Sequence, residues 1–309
     1  MGMQRITRNK YTSRCLIWWK SAERAAVVMF LFVLVMAPDS SAYAWNVELS
    51  LKRDTIEDAM VMPSALFIDE GREQYYVVDS GKNRLLSFNR QGELLNVFTA
   101  GGTLQVPFDM VRTEDGMIWV VEKGRNSLTT IDLQSKQTTP HTLRAKGGPV
   151  YPHRLETDGQ RLFVQDSSSG DIIVYDRNLT EQQRFVCPEC TQGYFDFKVE
   201  GDAVWALDRM GRTVYVLGMS GKVEKSFKLG AAVTSPVSLA LGPGGFLFVV
   251  DLHNRDVAVF DTNGKFKYRF LQPGIATGQL YFPAEIRFDP WDGMCITDEG
   301  NARVEVYRQ

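Results

Sequence analysis

PVSLALGPGGFLFVVDLHNRDVAVFDTNGKFKYRF, residues 236–270, holds the pattern on which the rest of the chain is built. Pro236 opens an apolar run, a Gly-rich turn follows, and a second apolar run ends on Asp251. After a polar turn come Asp256 to Phe260, the pair Asn263-Gly264, and the alternating run Lys265 to Phe270. Asn-Gly supplies the positive φ angles that a tight hairpin needs. Phe246 to Val250 is apolar without alternation, which predicts a strand covered on both faces. The alternation of the last run predicts a half-exposed edge. Four strands are expected, with Val237 to Leu241 innermost.

The same pattern recurs from Pro63 as PSALFIDEGREQYYVVDSGKNRLLSFNRQGELLNVF, and six times in all. The acid that ends the second run returns as Asp79, Glu122, Asp166, Asp208, Asp251 and Asp298, at spacings of 42 to 47 residues. That period is one propeller blade. A lone four-stranded sheet cannot bury both faces, whereas blades packed radially share a continuous core. The fold class is therefore all-β, a six-bladed β-propeller. The sixth copy ends at Gln309 without an outer strand, and the alternating stretch 46–51 is expected to supply it, because an open ring would leave an unpaired edge. The recurrent acid is expected to accept backbone N–H bonds in the turn that follows it.

Val249 to Phe260 (VVDLHNRDVAVF) and Val77 to Phe88 (VVDSGKNRLLSF) resemble the NHL repeat, and the resemblance extends over residues 62 to 309. The third and fourth copies depart from it, with Ser169-Gly170-Asp171 and Gly211-Arg212-Thr213 in place of the Asn-Arg turn. Propellers of this family serve as scaffolds, ligand binders, lyases and hydrolases, so the resemblance implies a fold before an activity.

Six basic residues precede the apolar stretch Ala25 to Ala37, and Ala42-Tyr43-Ala44 forms a small-x-small site before Trp45. Residues 1–44 are expected to be a secretory signal and residues 45–309 a single propeller domain. The expected location is outside the cytoplasm, periplasmic before extracellular, with no stable membrane insertion after cleavage. The apolar stretch is short for a span of roughly 20 residues. Of 35 basic and 37 acidic side chains, six and two precede Trp45, which takes the net charge from −2 to −6. An acidic surface argues against nucleic acid or anionic lipid as a partner.

Ligand sites in propellers lie where the inner strands begin, around the channel. The second residue after each opening position reads Ala65, Asp109, Arg154, Asp196, Ser238 and Glu285, which sets acids on alternate blades. Asp109, His153, Arg154, Asp196 and Glu285 are the candidates for a ligand at the channel mouth. Asp109, Asp196 and Glu285 can together offer oxygen ligands to a divalent cation such as Ca2+, with Arg154 as a clamp on a substrate carboxylate. In the blander reading Arg154 neutralises two of the acids and no cofactor is required. His141, His153 and His253 fall at three unrelated topological positions, which argues against a three-histidine zinc site such as the NHL-type amidating lyase uses. Cys187 and Cys190 are expected to pair in a disulfide that stiffens the loop between blades three and four, as an oxidising compartment allows. Cys295 is then a buried free thiol.

Phe108, Tyr151, Tyr194, Phe195 and Tyr281 fall at loop positions and are the candidates for docking a protein or peptide partner. The expected function is an exported binding or scaffold module of the cell envelope. The NHL resemblance allows a place beside an electron-transfer assembly. The alternative is a metal-dependent, lactonase-like hydrolase, or a lyase, acting on a small molecule at the channel mouth.

Overall fold

The computed structural model describes residues 44–53, 57–135 and 137–309; the expected signal segment, Ala44 apart, lies outside them. Asn46–Arg308 is one compact unit. It contains six four-stranded antiparallel sheets, which are the six blades. Their inner strands are Pro63–Asp69, Pro107–Arg112, Pro152–Thr157, Asp196–Glu200, Pro236–Leu241 and Pro283–Phe288. In the fifth blade the other strands are Leu247–Asp251, Asp256–Phe260 and Phe266–Phe270, close to the runs predicted from sequence.

The ring closes as expected. Asn46–Leu51 pairs antiparallel with Arg303–Arg308 and is the outer strand of the sixth blade. Leu51 is fully buried, in a cluster that joins Val304 and Val306 of blade six to Leu66, Tyr75 and Phe88 of blade one. The closing strand therefore also seals the seam between the first and last blades. Similar clusters fill the seams between blades two and three and between blades three and four.

In five blades the opening proline faces the recurrent acid, as in Pro63↔Asp79, Pro107↔Glu122 and Pro236↔Asp251, and the register then slips by one residue; blade four pairs without the slip. In blades three, five and six the acid works in two directions. Asp251 accepts from Thr234 and Ser235 N–H in the incoming loop and from His253 and Asn254 N–H in the outgoing turn. Asp298 does the same with Tyr281, Phe282 and Asn301. A buried carboxylate that accepts several N–H bonds satisfies amides that strand pairing leaves over. Among the described residues Asp79 and Glu122 accept only from the incoming loop, from Val61 and Gln105 N–H, and Asp208 only from Gly211 N–H in the turn that follows, so the expected turn contact is made in blades three to six.

Candidate functional site

On blades two, four, five and six the second residue after the opening position reaches the inner strand of the next blade. Asp109 Oδ2 accepts from Leu155 N–H at 3.0 Å, Asp196 Oδ2 from Leu239 N–H at 3.0 Å, and Glu285 Oε2 from Leu66 N–H at 2.8 Å. Ser238 Oγ takes the same role toward Ile286 N–H at 3.2 Å. These side chains staple neighbouring blades around the axis.

One step further along the strands stand Glu156, Lys198 and Arg287, which the period of two places on the same face as Arg154, Asp196 and Glu285. Lys198 Nζ lies 3.2 Å from Glu156, 3.2 Å from Glu285 and 3.5 Å from Asp196. Arg287 makes a two-pronged contact with Glu156, at 3.1 and 2.8 Å, and reaches Glu285 at 2.9 Å. Arg154 lies 3.9 Å from Asp109 and 3.8 Å from Asp196. Its guanidinium donates to Ser64 and Ala284 carbonyls on blades one and six. Contacts that run from blade three to blades one and six cross the axis, so side chains close the channel.

This lattice revises the sequence-based site. Asp109, Asp196 and Glu285 are at most 1 % exposed, and their oxygens face amides and cations. Among the described residues no group of three or more His, Cys, Asp or Glu side chains is arranged to hold a metal ion. Three interposed cations keep the carboxylates from converging on one. Arg154 is buried and bonded to carbonyls, so it does not reach the mouth as a clamp.

Four carboxylates against three cations leave one negative charge in excess when all are ionised, and Asp109 has the longest ion-pair contact of the set. Burial, and then the charge of Glu285, raises Asp109 to about 7. Burial alone would raise Glu285 too, but Arg287, Lys198 and Arg154 outweigh it and hold that carboxyl at about 2. Between the unfolded carboxylate range and about pH 7 the fold therefore holds a proton on Asp109 that the unfolded chain has lost. Stability conferred by that proton falls as pH rises through the window and is flat above it. His153 acts the other way, because the unfolded chain protonates it below about pH 6.5 and the fold keeps it neutral, so its contribution rises with pH over part of the same window. The Asp109 share is therefore read as a difference: from pH 5.5 to pH 8 the melting temperature of the wild type should fall relative to that of Asp109→Asn by on the order of 5 °C, which thermal melts of both at the two pH values would check; an equal pH dependence in the two proteins would place the proton elsewhere.

Above the lattice, where the inner strands begin, is a second cluster. The Phe108 and His153 rings stack at 4.7 Å, and His153 meets Phe195 edge-on at 5.9 Å. Lys123 Nζ lies 4.8 Å from the Phe108 ring centre, and the Arg209 guanidinium 4.7 Å from that of Phe195. Lys123 donates to His153 Nδ1, so Nε2 of that neutral imidazole carries the proton. Burial first, and then Arg154 and Lys123, pushes His153 down to about 2. Burial and the Arg154 charge bring Lys123 down to about 8, against the pull of Asp109. Neither Lys123 nor Arg209 forms an ion pair among the described residues. On blade six the matching turn carries Glu299, its carboxyl raised by burial. One cationic, aromatic cluster thus lies on blades two to four, next to the channel.

Beside it lies a cleft of about 560 Å³ between blades three and four, whose lining includes His153, Gln165, Phe195 and Arg209. Its wall depends on two glycines with positive φ, Gly170 (72°) and Gly193 (71°). A Cβ on Gly193 would sit 2.4 Å from Gly170 Cα, so only glycines let these backbones meet. Tyr194 N–H then donates to Gly170 carbonyl at 2.8 Å. Cys187 and Cys190 are joined by a disulfide in the same loop, and Cys295 is free and buried.

The docking candidates divide. Phe108 and Phe195 are half-buried at the mouth, and Tyr151 and Tyr281 are exposed. Tyr194 is a correction: it is 1 % exposed, because the Gly170–Gly193 approach draws the loop inward and packs its ring 5.9 Å from Tyr215. Tyr281 and Phe282 form a separate pair at 4.7 Å on the loop entering blade six, with Arg255 over both. Lys123, Arg209 and Arg255 were missed from sequence, although the first two directly follow the recurrent acid. His141 lies in the outer strand of blade two and His253 in an exposed turn.

No protein-family model matches the chain, and no curated protein matches its sequence. Its fold is similar to that of a catalytically inactive histidine-to-alanine variant of virginiamycin B lyase from Staphylococcus aureus, solved with quinupristin. The TM-score is 0.60 at 17% identity, over 80% of each chain. It is also similar to a streptogramin B lyase, with a TM-score of 0.61 at 14% identity over 85% of this chain and 97% of the other. At such identities the likeness speaks for the six-bladed fold alone.

Proposed function

We propose that this propeller is an exported binding module that docks a peptide or protein segment on the blade two to four sector of its channel mouth. The observation that carries the reading is the pair Lys123 and Arg209, each over an aromatic ring and neither in an ion pair among the described residues. Aromatic rings and arginines in partly desolvated positions are the usual anchors of an interface. The ion lattice beneath holds the inner strands in place, so these side chains are presented with little ordering cost on binding. Export rests on the basic and apolar N-terminal segment, and a setting beside electron-transfer components rests on the NHL resemblance alone.

A random-peptide phage library panned on residues 45–309 tests the reading. Peptides should be enriched on the wild type and lose about tenfold or more in affinity for Phe195→Ala, with the melting temperature of the variant as a check on folding. Selected peptides that bind Phe195→Ala and Lys123→Met undiminished would contradict it.

A lyase is the second reading. It is favoured by the likeness to streptogramin B lyases and by Lys123, a base near neutrality hydrogen-bonded to a neutral imidazole. Incubation with quinupristin, followed by mass spectrometry, should return the compound intact. Turnover that disappears in Lys123→Met would establish the lyase instead.

A further inference from the structure

Gln165 is the last residue but one of the second strand of blade three, just before the recurrent Asp166, and it lines the cleft between blades three and four. It is 4 % exposed, and its Nε2 donates to Tyr194 carbonyl at 2.9 Å and to Asp166 carbonyl at 3.2 Å. Among the described residues its Oε1 has no partner. A buried acceptor without a donor costs about 1–3 kcal/mol, and a structure retains one where a ligand or water supplies the donor.

Arg209 lines the same cleft. One Nη donates to Ser235 Oγ at 2.9 Å and the plane lies over Phe195, which leaves other guanidinium N–H groups for an anion. Asp208, also in the lining, is turned to its own hairpin, where Oδ1 accepts from Gly211 N–H at 2.8 Å. The hydroxyls of Ser168 and Ser169 donate to Asp166 Oδ2, so they can only accept from a ligand. The cleft thus asks for an N–H donor at Gln165, an anion at Arg209, and an apolar group against Phe195. A peptide's last residue carries those three in one unit, with its amide N–H and its carboxylate on either side of one Cα.

We propose that the cleft is a subsite for the C-terminal residue of a peptide, with the free carboxylate on Arg209 and the preceding amide N–H on Gln165 Oε1. This rests on reading the channel mouth as a peptide-docking surface. The side chain of the bound residue lies against Phe195 and is therefore apolar or aromatic.

Calorimetric titration with N-acetyl tripeptides ending in Phe or Leu, each as free acid, as C-terminal amide, and with the last amide N-methylated, tests the subsite. The free acids should bind at least about tenfold tighter than the amides and the N-methylated acids. Arg209→Gln should abolish the acid preference, and Arg209→Lys should restore part of it. Equal binding of acids and amides would overturn the subsite while leaving peptide docking at the mouth standing. An acid preference that survives in Arg209→Gln would overturn the assignment of the carboxylate. Failure of every tripeptide to bind would overturn the subsite; the phage selection decides separately whether the docking reading falls with it.

Discussion

Lys198→Met should destabilise the propeller by about 3–5 kcal/mol, a fall in melting temperature of roughly 10 °C or more. Lys198 stands within 3.5 Å of Glu156, Asp196 and Glu285 and is 5 % exposed. Methionine has nearly its length and no charge, so little packing is lost. What remains is four carboxylates around Arg154 and Arg287, in a largely buried place. Removing one partner of a buried pair costs far more than the pair contributes, because the partner stays desolvated and unmatched. Glu156→Gln in the Lys198→Met background should return part of the loss, since it removes one unmatched charge. Lys267→Met is the control: that lysine pairs with Asp261 at 2.8 Å, but both are partly exposed, and its loss should cost less than about 1 kcal/mol. Denaturant unfolding of the variants would check the series. A Lys198→Met protein within 1 kcal/mol of the wild type would mean that the lattice does not hold the ring.

Removal of residues 46–51 should have the second large effect. The strand supplies the outer edge of blade six, and Leu51 fills the seam between the last blade and the first. A chain that starts at Lys52 exposes the edge of Arg303–Arg308 and the apolar side chains around Val304 and Val306. It should be insoluble, or should melt without a cooperative transition. Leu51→Ala is the graded version, with an expected loss of about 2–5 kcal/mol for a large aliphatic side chain buried completely. A synthetic peptide of residues 44–51 added to the truncated chain during refolding should recover soluble protein. A truncated chain that is soluble and melts like the wild type would contradict closure by this strand.

The fold was legible because its information is local and repeated. An opening residue, a closing acid and a Gly-containing hairpin recur at one period, and a lapse in one copy is outvoted by the others. Blade four lacks the opening proline, yet Asp196–Glu200 still stands in register with Ala203–Asp208. The missing strand of the last copy was legible for the same reason, since a counted ring has one vacancy and one spare strand. The site was less legible, because its geometry is set between distant segments. Asp109, Arg154, Asp196 and Glu285 were identified as facing the axis, but what they do depends on Lys198, Glu156 and Arg287, one turn of the pleat further along. A period of two from the same positions would have reached them. Arg154 bonds to carbonyls 90 and 130 residues away, a distance across which no local pattern speaks. Tyr194 looks like an exposed loop aromatic until Gly170 and Gly193 are seen to touch. Lys123 and Arg209 carried a sequence signal in their place directly after the recurrent acid, which sets them on the channel face.

If ligands are bound by the rim of blades two to four, and not by the closed channel or the outer edges of the blades, hydrogen exchange read by mass spectrometry on residues 45–309, with and without a selected peptide, should locate them there. Protection on binding is expected in 105–110, 122–126, 150–154, 165–170 and 190–196, and at 208–212, with the outer strands unchanged. Protection confined to the loops of blades five and six, or to an outer strand such as Leu94–Phe98, would contradict it.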